Sequence, residues 1–173
     1  HYAKHSGAIL YKIGEQTVEE YWHEDAAVTI AANKVKDAAA PRNIPMGAQK
    51  VAAMPTNADF DDAAVWALDI PAVDAPDDCF LQIEYAADCA RVYADGRLIE
   101  DNFWNGKPML VRLADLAGRR VELRILPLRK DAPIYLQREQ RAILDSAEGS
   151  ALLHLNSVKL LRLTTMQELE ANA

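Results

Sequence analysis

The run Asp88-Cys-Ala-Arg-Val-Tyr-Ala-Asp-Gly-Arg-Leu-Ile-Glu-Asp-Asn-Phe-Trp-Asn-Gly-Lys-Pro108 decides the fold. At its centre an Asp95-Gly96 pair separates two arms with apolar residues, Arg91-Val-Tyr and Arg97-Leu-Ile. A two-residue Asp-Gly link suits the tight turn whose twist matches that of the strands it joins, so the run predicts a β-hairpin. Beyond it lies a loop holding Asp101, Asn102, Phe103, Trp104, Asn105 and Gly106. The alternating segment Val121-Glu-Leu-Arg-Ile-Leu126 follows. A hairpin feeding an aromatic, amide-rich loop is the pattern of a β-sandwich.

Alternation recurs on both sides of this run. Ala27-Val-Thr-Ile-Ala carries the β-branched residues that favour strands. In Ala64-Val-Trp-Ala-Leu-Asp-Ile the residues Trp66, Leu68 and Ile70 share one face, and in Phe80-Leu-Gln-Ile-Glu-Tyr so do Leu81, Ile83 and Tyr85. Lys50-Val-Ala-Ala, Met109-Leu-Val-Arg-Leu, Ile134-Tyr-Leu-Gln and Ser157-Val-Lys-Leu-Leu-Arg-Leu-Thr read as further strands. Arg138 to Leu144 either prolongs a strand or forms a short helical turn. Asp37 to Gly47 is alanine-rich, but Pro41 and Pro45 make it a loop.

Many short strands between turn signals predict an all-β chain, specifically a jelly-roll β-sandwich of two antiparallel sheets. The expected inward residues include Leu81, Ile83, Val92, Leu98, Leu123 and Ile125. The sandwich is expected over residues 27–165, a linker or first strand over 1–26, and a helix-prone tail over 166–173.

The 173 residues suffice for one domain with its own core. A net charge of −7 argues against nucleic acid, which needs a basic face to displace counterions, and against anionic membranes. No apolar run approaches the ~18 residues of a membrane helix. The chain opens on His1, without a signal peptide, and reads as a piece of a longer protein whose compartment its termini do not fix. Cys79 and Cys89 each begin a strand, which predicts buried thiols rather than a bridge. His1, His5, His23 and His154 lack metal-ligand spacing, and His154 alternates with Leu153 and Leu155 as an outward-facing strand residue would. Arg91, Arg97, Lys107, Arg112, Arg119, Arg120, Arg124, Arg129 and Lys130 crowd the second half, and several are expected on the solvated faces of strands.

Residues 35–136 resemble the accessory β-domain of bacterial β-galactosidases of glycoside hydrolase family 35. The resemblance rests on Ile44-Pro-Met-Gly-Ala-Gln-Lys-Val-Ala, Ala58-Asp-Phe-Asp-Asp-Ala-Ala-Val-Trp, the Asp88 hairpin, Asp101-Asn-Phe-Trp-Asn-Gly-Lys-Pro and Ile125-Leu-Pro-Leu. It implies a galactose-binding-domain-like jelly roll attached to a catalytic (β/α)8 barrel. The bacterial parent would be periplasmic or secreted. No segment matches the family's paired catalytic glutamates, and a barrel of roughly 200–250 residues has no room here. The chain alone is therefore expected not to be an enzyme, and to carry no catalytic residues.

Two readings stand for the loop. Trp104 and Phe103 offer apolar platforms for a sugar ring, with Asn102, Asn105 and Asp101 holding its hydroxyls. Alternatively Phe103 caps the core and Trp104 packs against the neighbouring catalytic domain. Trp66 is expected in the core, and Trp22 in an acidic segment where an exposed aromatic would face another domain. Asp59, Asp61 and Asp62, with Asp74, Asp77 and Asp78, form two acidic turns. Turn capping is their default reading and a structural calcium the alternative, so no cofactor is expected. Three functions follow. The first is an accessory domain packed on the barrel, with galactosides as a further contact; the others are an autonomous carbohydrate-binding module and a structural spacer.

Overall fold

A computed structural model describes residues 5–13, 16–23, 27–74 and 76–162. Its strands are β1 (His5–Ile13), β2 (Gln16–His23), β3 (Val28–Thr29), β4 (Ala32–Lys36), β5 (Ala64–Leu68), β6 (Cys79–Ala86) and β7 (Cys89–Ala94). They continue with β8 (Arg97–Phe103), β9 (Met109–Arg112), β10 (Val121–Leu126), β11 (Leu128–Arg129), β12 (Ala151–Leu152) and β13 (His154–Arg162). A single helix, α1 (Arg138–Ser146), lies between β11 and β12 among the described residues. One sheet runs β4-β5-β10-β7-β8 and a second β3-β13-β6-β9, with every pairing antiparallel. The all-β, sandwich-like expectation holds.

The inward faces of the two sheets share one core. Trp66 and Leu68 of β5, Val92 of β7 and Leu123 and Ile125 of β10 meet Leu81, Ile83 and Tyr85 of β6, Met109 of β9 and Val158 of β13. Leu81, Ile83, Val92, Leu123 and Ile125 are completely enclosed. Each aliphatic side chain removed from water in this way contributes about 1.5–3 kcal/mol, so the alternating pattern is the main source of stability. Cys79 and Cys89 are buried thiols that form no disulfide.

The hairpin β7–β8 turns at Asp95 and Gly96, with φ of 51° and 79°. Positive φ at both central residues is the turn that Asp-Gly favours. Asp95 also ties the turn to the next strand, accepting the Arg120 N–H at its Oδ1 (3.0 Å) while its own N–H donates to the Arg120 carbonyl (2.9 Å).

Four expectations need correction. Leu98, expected in the core, is 40% exposed. The β7–β8 register shifts between Val92 and Tyr93, so that Leu98 comes opposite Tyr93 on the outer face while Asp101 stays opposite Arg91 on that same face. This bulge at Ile99 breaks the simple alternation. Arg91, one of the nine basic residues of which several were expected on solvated strand faces, is buried: the 3-10 turn Ala58–Asp62 lays the Phe60 ring 4.1 Å from its guanidinium. Ile134 to Gln137 pairs with no strand, and Arg138–Ser146 is helical, as befits its run of good helix formers. Lys50 to Ala53 contributes only an isolated bridge between Met46 and Ala52.

β1 and β2, in the segment expected as a linker or first strand, pair antiparallel with each other. The Trp22 side chain and the tail 166–173 lie outside the described residues, as does His1. His154 is exposed, and Trp66 is buried as expected.

Candidate functional site

The five residues singled out in the loop have different roles. Asp101, Asn102 and Phe103, expected in the loop, are the last three residues of β8, and an Asp101 carboxylate oxygen lies 4.0 Å from Arg91 Nε. Asn102 is tied into the framework: the Tyr85 hydroxyl donates to its carbonyl (2.7 Å) and to its Oδ1 (2.8 Å). Burial raises the Tyr85 hydroxyl pKa far above its usual value, so Tyr85 is a fixed neutral donor. Asn105 Oδ1 accepts the Lys107 N–H (2.9 Å), a side-chain turn that admits Gly106 at φ 80°. Neither amide is arranged primarily for a ligand.

Phe103 and Trp104 reverse the core-capping expectation, with Phe103 44% exposed and Trp104 only 7%. Backbone bonds hold the indole in place. Trp104 N–H donates to the Asp88 carbonyl (3.0 Å), and Gln140 Nε2 donates to the Trp104 carbonyl (3.2 Å). Gln140 also accepts the Gln137 N–H at the start of α1 (3.1 Å), so a single amide caps the helix and clamps the loop. Leu144, one turn further along, is fully buried and pins α1 to the core.

Phe103 rims a groove of about 240 Å³ whose other walls include Met54, Tyr135, Ile134 and Leu136. Tyr135 is 92% exposed and Met54 68%. Ala52, which lines the groove, forms an isolated bridge with Met46, and Met46 and Val51 are both exposed. At the floor lies an ion pair with almost no solvent contact. Arg42 Nε donates to Asp88 Oδ2 (2.7 Å), and its Nη1 donates to the Ala53 carbonyl (3.1 Å). Burial pushes the Asp88 carboxyl above the usual carboxylate range, while Arg42 pulls it back down. The pair fixes the 42–53 loop against the start of β7 and so sets the shape of the groove.

Asp59 caps its turn by accepting the Thr56 N–H (2.6 Å) and hydroxyl (2.8 Å), which holds its carboxyl below the usual range and matches the turn-capping reading. Among the described residues no cluster of metal-ligating side chains is present.

Sequence reasoning found Phe103 and Trp104 but missed Arg42, Met54, Asp88 and Tyr135 as groove residues. Asp88 left one trace, a carboxylate at the head of an otherwise apolar strand segment. Arg42 and Met54 left none, because they sit in a loop without periodicity. No protein-family model, curated protein or solved structure matches the chain.

Proposed function

We propose that this chain is a non-catalytic accessory domain of a β-galactosidase, packing on and supporting the catalytic barrel of its parent enzyme. One observation carries the reading. Phe103, Tyr135 and Met54 form an exposed apolar rim around a groove with a rigid polar floor. Contiguous apolar patches larger than a few hundred Å² are rare on monomeric domains and mark surfaces that a partner covers, and a cluster of large exposed apolar side chains around one groove supports such a role. The resemblance to the family 35 accessory domain supplies the identity of that partner. The buried Trp104 favours packing over an open sugar platform in this groove.

The jelly-roll reading has its own support. The chain changes sheet between β3 and β4, β5 and β6, β6 and β7, β8 and β9, and β9 and β10. Frequent crossing between two antiparallel sheets is the behaviour of a jelly roll.

The test combines this chain with a family 35 catalytic barrel lacking its own accessory domain. The chain alone is expected to leave p-nitrophenyl-β-galactoside intact while raising the melting temperature of the barrel. The double variant Phe103→Ser/Tyr135→Ser should keep its own fold yet lose that effect. Equal stabilisation by wild type and variant, or none by either, would refute the proposal.

A further inference from the structure

The floor of the groove carries two polar atoms that the fold itself leaves unused. Arg42 Nε donates to Asp88 Oδ2, and Arg42 Nη1 donates to the Ala53 carbonyl. Among the described residues Asp88 Oδ1 accepts no hydrogen bond and Arg42 Nη2 donates none. Both side chains line the groove and both are almost wholly enclosed, at 6% and 3% exposure. The described side-chain atoms that are sealed from solvent without a partner are Arg91 Nε and Arg124 Nε. Arg42 Nη2 and Asp88 Oδ1 are not among them, so these two atoms still reach the groove.

We infer that the groove receives a tyrosine side chain projecting from the catalytic barrel, its ring against Phe103, Tyr135 and Met54 and its hydroxyl on the Arg42–Asp88 pair. The inference deepens the packing proposal and rests on it for the source of the tyrosine, though not for the chemistry of the groove.

Each other guest fails on a different group. The Arg42 and Asp88 charges offset one another, so a carboxylate would meet Asp88 and an ammonium would meet Arg42. A phenylalanine or leucine would expel water from Nη2 and Oδ1 without replacing its hydrogen bonds, and buried polar groups left unpaired cost free energy. An indole N–H satisfies Oδ1 alone, because tryptophan is a donor only. A phenolic hydroxyl accepts from Nη2 and donates to Oδ1 through one oxygen. Both of those bonds have a charged partner, which makes them stronger than neutral ones.

Serine and the carboxamides also donate and accept, but they bring no ring to the rim. Phe103 and Tyr135 offer aromatic contacts and Met54 a thioether, which together favour an aromatic guest. A cavity of roughly 150 Å³ already holds benzene, so about 240 Å³ accommodates a phenol with its methylene. The floor is also built in advance. Arg42 is held at Nε and at Nη1, so little ordering remains to be done when the guest arrives. Tyrosine is among the residues that most often anchor interfaces in such desolvated pockets.

The experiment is an amide-resolved NMR titration of the full chain with p-cresol, the tyrosine side chain as a free molecule, beside toluene and propionamide. p-Cresol should give saturable shifts at Ala53, Met54, Asp88, Phe103 and Tyr135, with a Kd on the order of 1 mM. Toluene, which lacks the hydroxyl, and propionamide, which lacks the ring, should each bind about tenfold more weakly or worse. This comparison uses the wild-type chain, so it needs no floor variant that might fail to fold. Phe103→Ser, at an exposed position, should weaken p-cresol by about tenfold. A saturating family 35 barrel should abolish p-cresol binding.

The inference is overturned if p-cresol gives no saturable shifts in the groove, or if toluene or propionamide binds as tightly. It is also overturned if a barrel that stabilises the chain leaves p-cresol binding intact. In each of these cases the packing proposal keeps its own test, the melting temperature of the barrel. Selective p-cresol binding by a chain that no barrel engages would instead refute packing, and with it the barrel as the source of the tyrosine.

Discussion

Replacing Arg42 by methionine tests the floor of the groove. The substitution keeps an apolar stem but removes the guanidinium from Asp88 and from the Ala53 carbonyl. Both partners are almost wholly enclosed, with side-chain exposures of 6% and 3%. Breaking such a pair leaves a buried charge uncompensated, at about 3–5 kcal/mol. Domains of this kind have roughly 5–15 kcal/mol of total stability, so the variant should be severely weakened. The melting temperature should fall by roughly 6–20 °C, at about 2–4 °C per kcal/mol.

The deficit should also depend on pH. Burial already raises the Asp88 carboxyl in the native protein, and without Arg42 it rises further. A carboxyl raised on folding binds more protons in the native than in the unfolded state. Stability therefore falls as pH climbs through the window above the ordinary carboxylate value, at up to about 1.4 kcal/mol per pH unit. Acidification from pH 7 to 4.5 should shrink the gap between variant and wild type. Adding Asp88→Asn should recover much of the loss at pH 7. Urea unfolding at the two pH values measures both effects, provided the slope m is unchanged. A loss under about 1 kcal/mol at pH 7, or an equal deficit at both pH values, would refute the argument.

Two further outcomes follow from the fold. Gly96→Ala places a side chain at φ 79° with nothing within 4 Å of its Cβ, so the cost is conformational, about 1–2 kcal/mol by urea unfolding. Burial, with the nearby Asp88 and Asp101 charges, pushes the Cys89 thiol up to about 12. Neither this thiol nor the buried Cys79 should react with a disulfide reagent at pH 8 in the native protein, and both should react after denaturation. Rapid native labelling would show that this part of the sandwich opens readily.

The sandwich was legible because its strands obey a period of two. Leu81, Ile83, Leu123 and Ile125 could be read directly, and the Asp95-Gly96 turn named the hairpin. Leu98 escaped because a bulge changes parity in the middle of β8, and one inserted residue is invisible in a short alternating run. Arg91 looked solvent-facing because its strand position is outward. Its cover, Phe60, comes from a turn about thirty residues earlier that no periodicity connects to it. The groove was hidden for the same reason: Arg42, Met54, Asp88, Phe103 and Tyr135 come from separate loops and strand ends. Asn102 and Asn105 were recognised by type, but only the fold reveals that Asn102 lies within β8 and that their oxygens are occupied by Tyr85 and by the backbone of Lys107.

The most direct test of the packing role is hydrogen exchange on this chain, with and without a saturating family 35 catalytic barrel. The account predicts slowed exchange in residues 46–54, around Phe103 and across 134–136, with the outward face of the β3-β13-β6-β9 sheet unchanged. Protection of that sheet face instead, or none anywhere at saturation, would contradict it.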